Sequence, residues 1–514
     1  MIDKYLNNSF LLIDKFDVKK RVILQVGKSK NHALNSRPAL FEFNGERYIL
    51  KYKTIVPIGT QHHDELKIRK HSELILNNGN LKIYTEGKDV IPTHISIPDF
   101  EKANFIGKRL KKVVVSEISS LSTEKKSFYA KDRFYRAIIP LPNEVRLFGN
   151  FTGWSFKIDN KSYFETLMKL RISGANFDFY TFKKEKKNYF VIDSLDILLF
   201  NDFMRFVNSI LLSYAFLKGK YYGEIAYVFS YSNNKLITPK SLKTLILGGG
   251  KYDGFLIHTT NPYSVQKFRI ESKSKKNEVG KIITNDPLRK YMVEFPHENF
   301  SKLCELIETK GGILRSVILF VNNNSTTLEM KIPILYVALE NITKALFGNN
   351  SVVEKLIDNE KIEKEIKGQI KLIVKGINKI KRDNKPSNLL VAEKKAYDAT
   401  FERIINKFYN YNKGTNNQKL SEPFSLYGYK LTKEEEDLII IHRNKFLHGD
   451  DFSDVNLHYE YEFRELFHIS LKLQKLISIL LLKASGYSGY ILNNTKNYDY
   501  ISEKNLNESG FIKI

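Results

Sequence analysis

The chain is predicted to be α+β. A β-rich N-terminal region, sandwich- or barrel-like with few helices, precedes an all-α helical bundle. Two observations predict this division. Up to about residue 200, aromatic and β-branched residues alternate at short spacing, as strands with one buried face require. After Asn322-Asn-Asn-Ser325 the apolar spacing changes to the three-and-four rhythm of helices.

Element by element, Phe41-Glu-Phe-Asn-Gly-Glu-Arg-Tyr-Ile-Leu-Lys-Tyr52 alternates around Asn44-Gly45, a strong hairpin pair. Leu81-Lys-Ile-Tyr84, Lys112-Val-Val-Val115, Val145-Arg-Leu-Phe148 and Phe177-Asp-Phe-Tyr-Thr-Phe182 are further strands. Phe206, Ile210, Leu211, Tyr214 and Leu217 recur at helical spacing, so Phe203–Leu217 is a helix that Gly219 can end. Ile225–Tyr231 and Ser316-Val-Ile-Leu-Phe-Val321 read as strands again. In the C-terminal part, Ile334, Leu335, Ala338, Leu339, Ile342, Ala345 and Leu346 make one stripe. Ser351 with Glu354 reads as a capping box for a helix carrying Ile362, Ile366, Ile370, Ile373 and Ile377, stopped by Pro386. A helix follows over about 389–409, then a polar, flexible segment over 410–428. Thr432 with Glu435 is a second capping box and opens the helix that carries Arg443 to His448. A last major helix spans about 460–485. The expected domains are 1–200 (sensing or binding), 201–328 (its α/β continuation, in the same domain or a separate one), 329–490 (helical) and a tail over 491–514.

At 514 residues with 42% hydrophobic content, the chain can bury sizeable cores. Its net charge of +25 is unusual. Residues 1–330 hold roughly 53 Lys+Arg against 33 Asp+Glu, so the excess lies mainly in the N-terminal part. Such a balance favours phosphate-rich partners or anionic surfaces, although a Lys-rich solvated surface also satisfies it. The one cysteine, Cys304, excludes an intrachain disulfide and any multi-Cys zinc site. A reducing, cytoplasmic setting fits. The N-terminus lacks the pattern of a signal peptide, and the longest apolar run near the C-terminus, Leu476–Leu482, is far below membrane-spanning length. No membrane association and no cofactor are expected.

The most informative stretch is Arg443-Asn-Lys-Phe-Leu-His448, followed by Gly449. It gathers a cation, a carboxamide and an imidazole that together can cut RNA without a metal. The 2′-OH of RNA is the nucleophile. His448 moves its proton, Arg443 stabilises charge on the phosphate, and Asn444 orients one of them. Asn444 and His448 are four apart and share a helix face. Arg443 and His448 are about 140° apart on an ideal helix, so Gly449 would have to let the helix end and re-aim His448. One copy is a thin catalytic set, and a symmetric homodimer would supply two. Against this, Arg-x4-His arises readily by chance, and cations in a last turn also complement the helix dipole.

The pairing of Leu335-Tyr-Val-Ala-Leu-Glu340 in an opening helix with Arg443-Asn-Lys-Phe-Leu-His-Gly449 in a late one resembles the HEPN ribonuclease superfamily. It looks most like the ApeA-like proteins of anti-phage abortive infection. The resemblance covers about residues 330–490 and implies an endoribonuclease with Arg443 and His448 as catalytic residues and Asn444 as accessory. It also implies a homodimer formed through the helical domain. RNA is the implied partner, with transfer RNA as a candidate substrate and a phage protein as a candidate trigger. Two alternatives stay open: a non-catalytic RNA-binding and dimerisation protein, and a HEPN toxin held by a separate partner.

Glu340 either holds Arg443 or His448 in place, or pairs with Lys344 at i,i+4. His442 is expected on the outer face. Lys445 in the motif and Lys273, Lys275 and Lys276 in a basic loop are candidate RNA contacts, against a solvated loop. Lys183–Asn188 reads as a solvated hairpin tip. Gln61-His-His-Asp-Glu65 is a poor metal set, because adjacent histidines point apart. Leu247-Gly-Gly-Gly-Lys251 lacks the spacing and the Ser/Thr of a phosphate loop.

Overall fold

The computed structural model describes residues 2–27, 34–57, 73–78, 81–86, 90–96, 109–124, 128, 133–141, 154–158, 161–218, 221–247, 295–323, 326–347, 359–386, 390–409, 411, 416–443, 446 and 459–514. The chain folds as two compact units. One comprises Met1–Thr326 with Ser485–Tyr500 and Asn505–Ile514; the other comprises Thr327–Ala484 with Ile501–Lys504. The architecture is α+β: a large sheet in the N-terminal region, then helices.

The first unit opens with β1 (Ile2–Lys4) and helix α1 (Asn7–Phe16). The strands then run β2 (Lys20–Val26), β3 (Arg37–Phe43), β4 (Tyr48–Pro57), β5 (Glu73–Asn78), β6 (Leu81–Glu86), β7 (Val90–Ser96), β8 (Arg109–Ile118) and β9 (Ser120–Ser122). They continue as β10 (Phe134–Leu141), β11 (Trp154–Ile158), β12 (Lys161–Ile172), β13 (Ala175–Lys184) and β14 (Lys187–Ser194). After helix α2 (Phe200–Lys218) come β15 (Ile225–Tyr231) and β16 (Ser241–Ile246). Hydrogen bonding links these strands in the order β1-β11-β12-β13-β14-β10-β15-β16-β9-β6-β5-β2-β3-β4-β8-β7. The sheet is antiparallel except where β1 pairs with β11.

The predicted turns sit where their residues allow. Gly45 takes φ +95° between β3 and β4. Lys183–Asn188 is the tip joining β13 to β14, with exposed Glu185 in the left-handed region at φ 54°. Pro92 lies on the terminal strand β7 beside a register irregularity, the kind of position where a sheet tolerates proline.

The sheet curls around α1. Tyr48 on β4 and Tyr227 on β15 both donate to the Asp17 carboxylate at 3.1 Å, just past the end of α1. Those strands are seven steps apart in the hydrogen-bonded series, about 34 Å across a flat sheet. Only strong curvature brings both to one carboxylate. The enclosed core joins Phe10, Ile13 and Phe16 of α1 to Leu24, Phe41, Leu50, Ile138, Tyr180, Val191 and Phe229 of the strands. Phe10 meets the edge of Tyr189 at 4.9 Å.

Within this unit lies a fully buried ion network. Asp193 on β14 receives Nε of Arg136 at 2.6 Å, Nη2 of Arg136 at 3.0 Å, Nζ of Lys4 at 3.0 Å and the Tyr180 hydroxyl at 3.1 Å. Lys4 also reaches Asp178 at 2.6 Å. Arg136 Nη1 donates to the backbone carbonyls of Tyr5 and Leu236. Two cations and two carboxylates thus compensate each other out of water, as buried charges must.

On another face, α3 (His297–Thr309) and α4 (Gly311–Asn322) pack against α2, with Phe216 5.4 Å from Phe320 and Phe300 6.3 Å from Phe179. The expected strand at Ser316–Val321 is therefore helix. Ile313, Ser316, Val317, Phe320 and Val321 are buried at helical spacing while Ile318 is exposed, and β-branched residues alone mislead here. Residues 201–246 continue the same sheet through β15 and β16, so it does not divide at residue 200. Residues 485–514 are no separate tail: β17 (Tyr490–Leu492) pairs with β18 (Phe511–Lys513), and Tyr487 packs on Phe295 at 4.7 Å.

The helical unit contains α5 (Leu328–Phe347), α6 (Glu360–Asp383), α7 (Val391–Tyr409), α8 (Asn416–Leu426), α9 (Lys433–Asp437), a π-helical turn (Leu438–His442) and α10 (Tyr459–Ala484). Helix α6 is capped by Asn359, whose side chain accepts from the N–H groups of Lys361 and Ile362. The Ser351–Glu354 box, Val145–Phe148 and Gly219 lie outside the described residues. The segment expected to be flexible over 410–428 contains α8, which buries Leu420 and Phe424 despite Pro423. Two apolar anchors outweigh a polar composition.

Because Asp193 is held down to about 2, below its usual 3.8, by Arg136 and Lys4 against the opposing effect of burial, its stabilisation is present above pH ~4. It is lost as pH falls from about 4 toward 2. The Asp193→Asn variant should flatten that acid limb. Arg136→Met should cost about 3–5 kcal/mol by leaving a buried carboxylate undercompensated. Both are measurable by urea denaturation followed by fluorescence of Trp154, the single tryptophan, which lies in this unit on β11.

Candidate active site

Helix α5 buries Ile332, Leu335, Tyr336, Leu339 and Ile342. Tyr336 and Glu340, four residues apart, share a face. The Tyr336 hydroxyl donates to the Leu438 carbonyl at 2.9 Å, and its ring lies 6.0 Å from that of Phe446. One turn further on, Glu340 Oε1 receives both Nε and Nη2 of Arg443. The two segments of the sequence motif, more than 100 residues apart, are therefore joined side chain to side chain. Of the partners open to Glu340, Arg443 is the one engaged among the described residues. The pair is partly exposed, so it positions the guanidinium more than it stabilises the fold.

The approach to Arg443 is not an ordinary helix. The predicted capping box is present: Thr432 Oγ1 accepts from Glu435 N–H at 3.2 Å, and Glu435 accepts from Thr432 N–H at 3.0 Å. Helix α9 then widens into the π turn over Leu438–His442. Two local causes are visible. Ile439 and Ile440 put adjacent β-branched side chains into that turn. The Tyr336 hydroxyl also occupies the Leu438 carbonyl, and a side chain inserted at the ladder is a recognised source of local departure from α geometry. π turns concentrate at functional sites. Here the wider turn shifts the phase of Arg443 relative to α9. His442 closes the turn half-buried, not on the outer face as expected.

Asn444, Lys445, His448 and Gly449 lie outside the described residues, as do Lys273, Lys275, Lys276, Gln61–Glu65 and Gly248–Lys251. Of the motif, Arg443 and Glu340 are brought together.

The chain matches no protein-family model, no curated protein and no solved structure. Among the described residues, no group of three or more His, Cys, Asp or Glu side chains is placed to hold a metal ion, and no helix is long and apolar enough to cross a membrane.

A second polar cluster, not singled out from the sequence, fixes α9 to α10. Glu434 pairs with Lys472 and lies 3.4 Å from His468 Nε2; Glu435 takes Lys475 at 2.7 Å and the Tyr429 hydroxyl at 3.1 Å. Burial would raise the Glu435 carboxyl, but Lys475 holds it below its ordinary value. Burial, then the Lys472 charge, push the His468 imidazole below its ordinary value, and its ring is enclosed. The i, i+4, i+7 spacing of His468, Lys472 and Lys475 was the available signal, and solvated-face readings of such patterns obscure it.

In the first turn of α5, burial pushes the Lys331 ammonium down to about 7. Its unfolded form binds a proton more readily, so the helical unit should gain stability as pH rises from about 7 to 9. The Lys331→Met variant should lose that dependence in thermal melts followed by far-ultraviolet circular dichroism.

Proposed function

We propose that the helical unit is a metal-independent endoribonuclease of the HEPN type, controlled by the β-rich unit and serving anti-phage abortive infection. The observation that carries this reading is the Glu340–Arg443 ion pair, which links the two segments on which the HEPN resemblance rests. A guanidinium anchored at one edge is oriented before substrate arrives, and orientation is what charge stabilisation in a transition state requires. The π turn adds to the case, because it sits directly before the motif.

In this reading His448 takes the proton of the ribose 2′-OH, that oxygen attacks the adjacent phosphorus, and the 5′-oxygen leaves with a proton. The products are a 2′,3′-cyclic phosphate and a 5′-hydroxyl. Arg443 neutralises the charge that builds on the phosphoryl oxygens, and Asn444 orients the reacting groups. Lys445 and the basic loop with Lys273, Lys275 and Lys276 contact the RNA backbone. Unpaired loops, such as those of transfer RNA, let the 2′-OH align for attack. A second copy supplies a second Arg–His set. The net charge of +25 suits a polyanionic substrate.

On induced expression with and without phage, the wild-type chain should cleave cellular RNA and leave 2′,3′-cyclic ends. His448→Ala and Arg443→Ala should each lower the cleavage rate by about 10²-fold or more. Glu340→Gln should lower it less, because it loosens Arg443 without removing it. Chelation by EDTA and substitution by all-deoxy substrate separate the chemistry: the first should leave the rate unchanged and the second should abolish it. Intact RNA under every condition, with the chain still retaining RNA in a gel shift, would replace the nuclease reading with a binding one.

A further inference from the structure

Helices α6 and α7 form a hairpin. The Tyr397 hydroxyl donates to the Lys381 carbonyl at 3.0 Å, and the hydroxyl of Tyr411, just past α7, donates to the Glu363 carbonyl at 3.2 Å. The buried residues of α6 are Glu363, Ile370 and Val374. At about 100° per residue, these three and Lys381 point within roughly 40° of one another and mark the edge of α6 that packs.

Away from that edge, an arc of roughly 80° round the helix collects Lys361, Lys364, Lys371, Lys375, Lys379 and Arg382, with Gly368 in their midst. All are exposed. No other residue of α6 points into this arc, so it holds cations and one glycine and no carboxylate. Glu360, Glu365 and Asp383 fall outside it, near the two ends of the helix. The cations that α6 uses for its own packing lie outside it as well: Lys367 pairs with Glu363 at 2.7 Å, and Lys381 with Asp398 at 2.9 Å. Among the described residues, no carboxylate pairs with any of the six cations in the arc.

Such a row repels itself. Lys371, Lys375 and Lys379 follow one another at i,i+4, where like charges weaken a helix. The helix dipole favours Arg382 in the last turn, opposes Lys361 in the first, and does not reach Lys371 or Lys375. Gly368 stands between Lys364 and Lys371. Glycine inside a helix weakens it too, and nothing lies within 4 Å of where its Cβ would stand. The gap lets a ligand come close to the helix backbone with a cation on either side.

We propose that this face of α6 is a contact surface for the phosphate backbone of RNA, formed without the Arg443 motif. The row from Lys361 to Arg382 is about 32 Å long. Its cations neutralise phosphates, a contact that holds a strand without reading its bases. A protein partner fits less well, because interface cores are built on apolar and aromatic side chains and are poor in lysine, and the arc has no apolar side chain. A membrane fits less well too. The exposed Ile362, Ile373 and Ile380 lie roughly 140–160° round the helix from the middle of the arc. A bilayer that took up those isoleucines would leave the cations facing water on the far side. That the strand is RNA rests on the nuclease reading; the attraction to phosphate does not.

Binding of the full chain to a labelled 2′-O-methyl RNA hairpin, followed by fluorescence anisotropy over a salt series, tests it. This probe lacks the 2′-OH, so the outcome does not depend on whether the chain cuts RNA. Wild type should bind. Lys371→Gln, Lys375→Gln and Lys379→Gln together should weaken binding by about 10-fold or more and lower the slope of log K against log salt by roughly 2–3. The melting temperature should not fall, because Gln matches Lys in helix propensity and the change relieves repulsion on an exposed face. Lys183→Gln, Lys186→Gln and Lys187→Gln at the exposed β13–β14 tip remove the same net charge and should leave binding close to wild type. A wild type that does not retain the probe would overturn the proposal. So would helix and tip variants that weaken binding equally, or binding unchanged once the three helix lysines are gone. Capture on phosphatidylserine vesicles, with the RNA probe left free, would replace it with a membrane contact.

Discussion

Asp193 is the constraint around which the β-rich unit is assembled. Its carboxylate lies in the interior and is tolerable there only because Arg136, Lys4 and Tyr180 all reach it. Those partners come from β10, from the N-terminal strand and from β13. The site therefore demands that three separate segments be in place before the charge is compensated. An apolar cluster would tolerate many registers. A network with directional bonds tolerates one, and it ties the residues around β1 into the sheet even though β1 itself is only three residues long. The Asp17 contacts with Tyr48 and Tyr227 act similarly at a second point, fixing how far the sheet curls.

Much of this architecture was legible. Alternation marked β3, β4, β6, β8, β13 and β15, and the change to helical spacing after residue 322 marked the second unit. What misled was local composition read without its partner surface. Ser316–Val321 has the residues of a strand, yet α2 offers it a surface that a helix face fits. Residues 416–426 look like loop, yet Leu420 and Phe424 find a core. The sheet order was not legible, because hydrogen bonding between β9 and β6 or between β16 and β9 joins segments whose pairing no periodicity encodes.

At the candidate site the legible part was chemical and the hidden part geometric. Arg443 and Glu340 stood out as residue types, and their contact follows from the packing of α5 beneath the π turn. The turn itself could not be read, because it depends on a tyrosine hydroxyl brought in from 102 residues earlier. The Glu434–Lys472 and Glu435–Lys475 pairs were hidden for the opposite reason. Charged residues at helical spacing ordinarily face water, and only the tertiary structure reveals that Glu435, Lys472 and Lys475 are buried while Glu434 stays exposed.

The order of the units along the chain matters for dissecting it genetically. Residues 485–500 and 505–514 belong to the unit that begins at the N-terminus, while 501–504 return to the helical one, where Glu503 meets Arg464 and Lys504 meets Glu465. The helical unit is thus an insertion inside the other, not an appendage after it. A stop codon placed after α10 would not trim a dispensable end. It would strip β17 and β18 from the β-rich unit and a cross-brace from the helical one. Separating the two cleanly calls for excision between residues 327 and 484 with the flanks rejoined, and a loss of activity on C-terminal truncation would speak to folding before it spoke to chemistry.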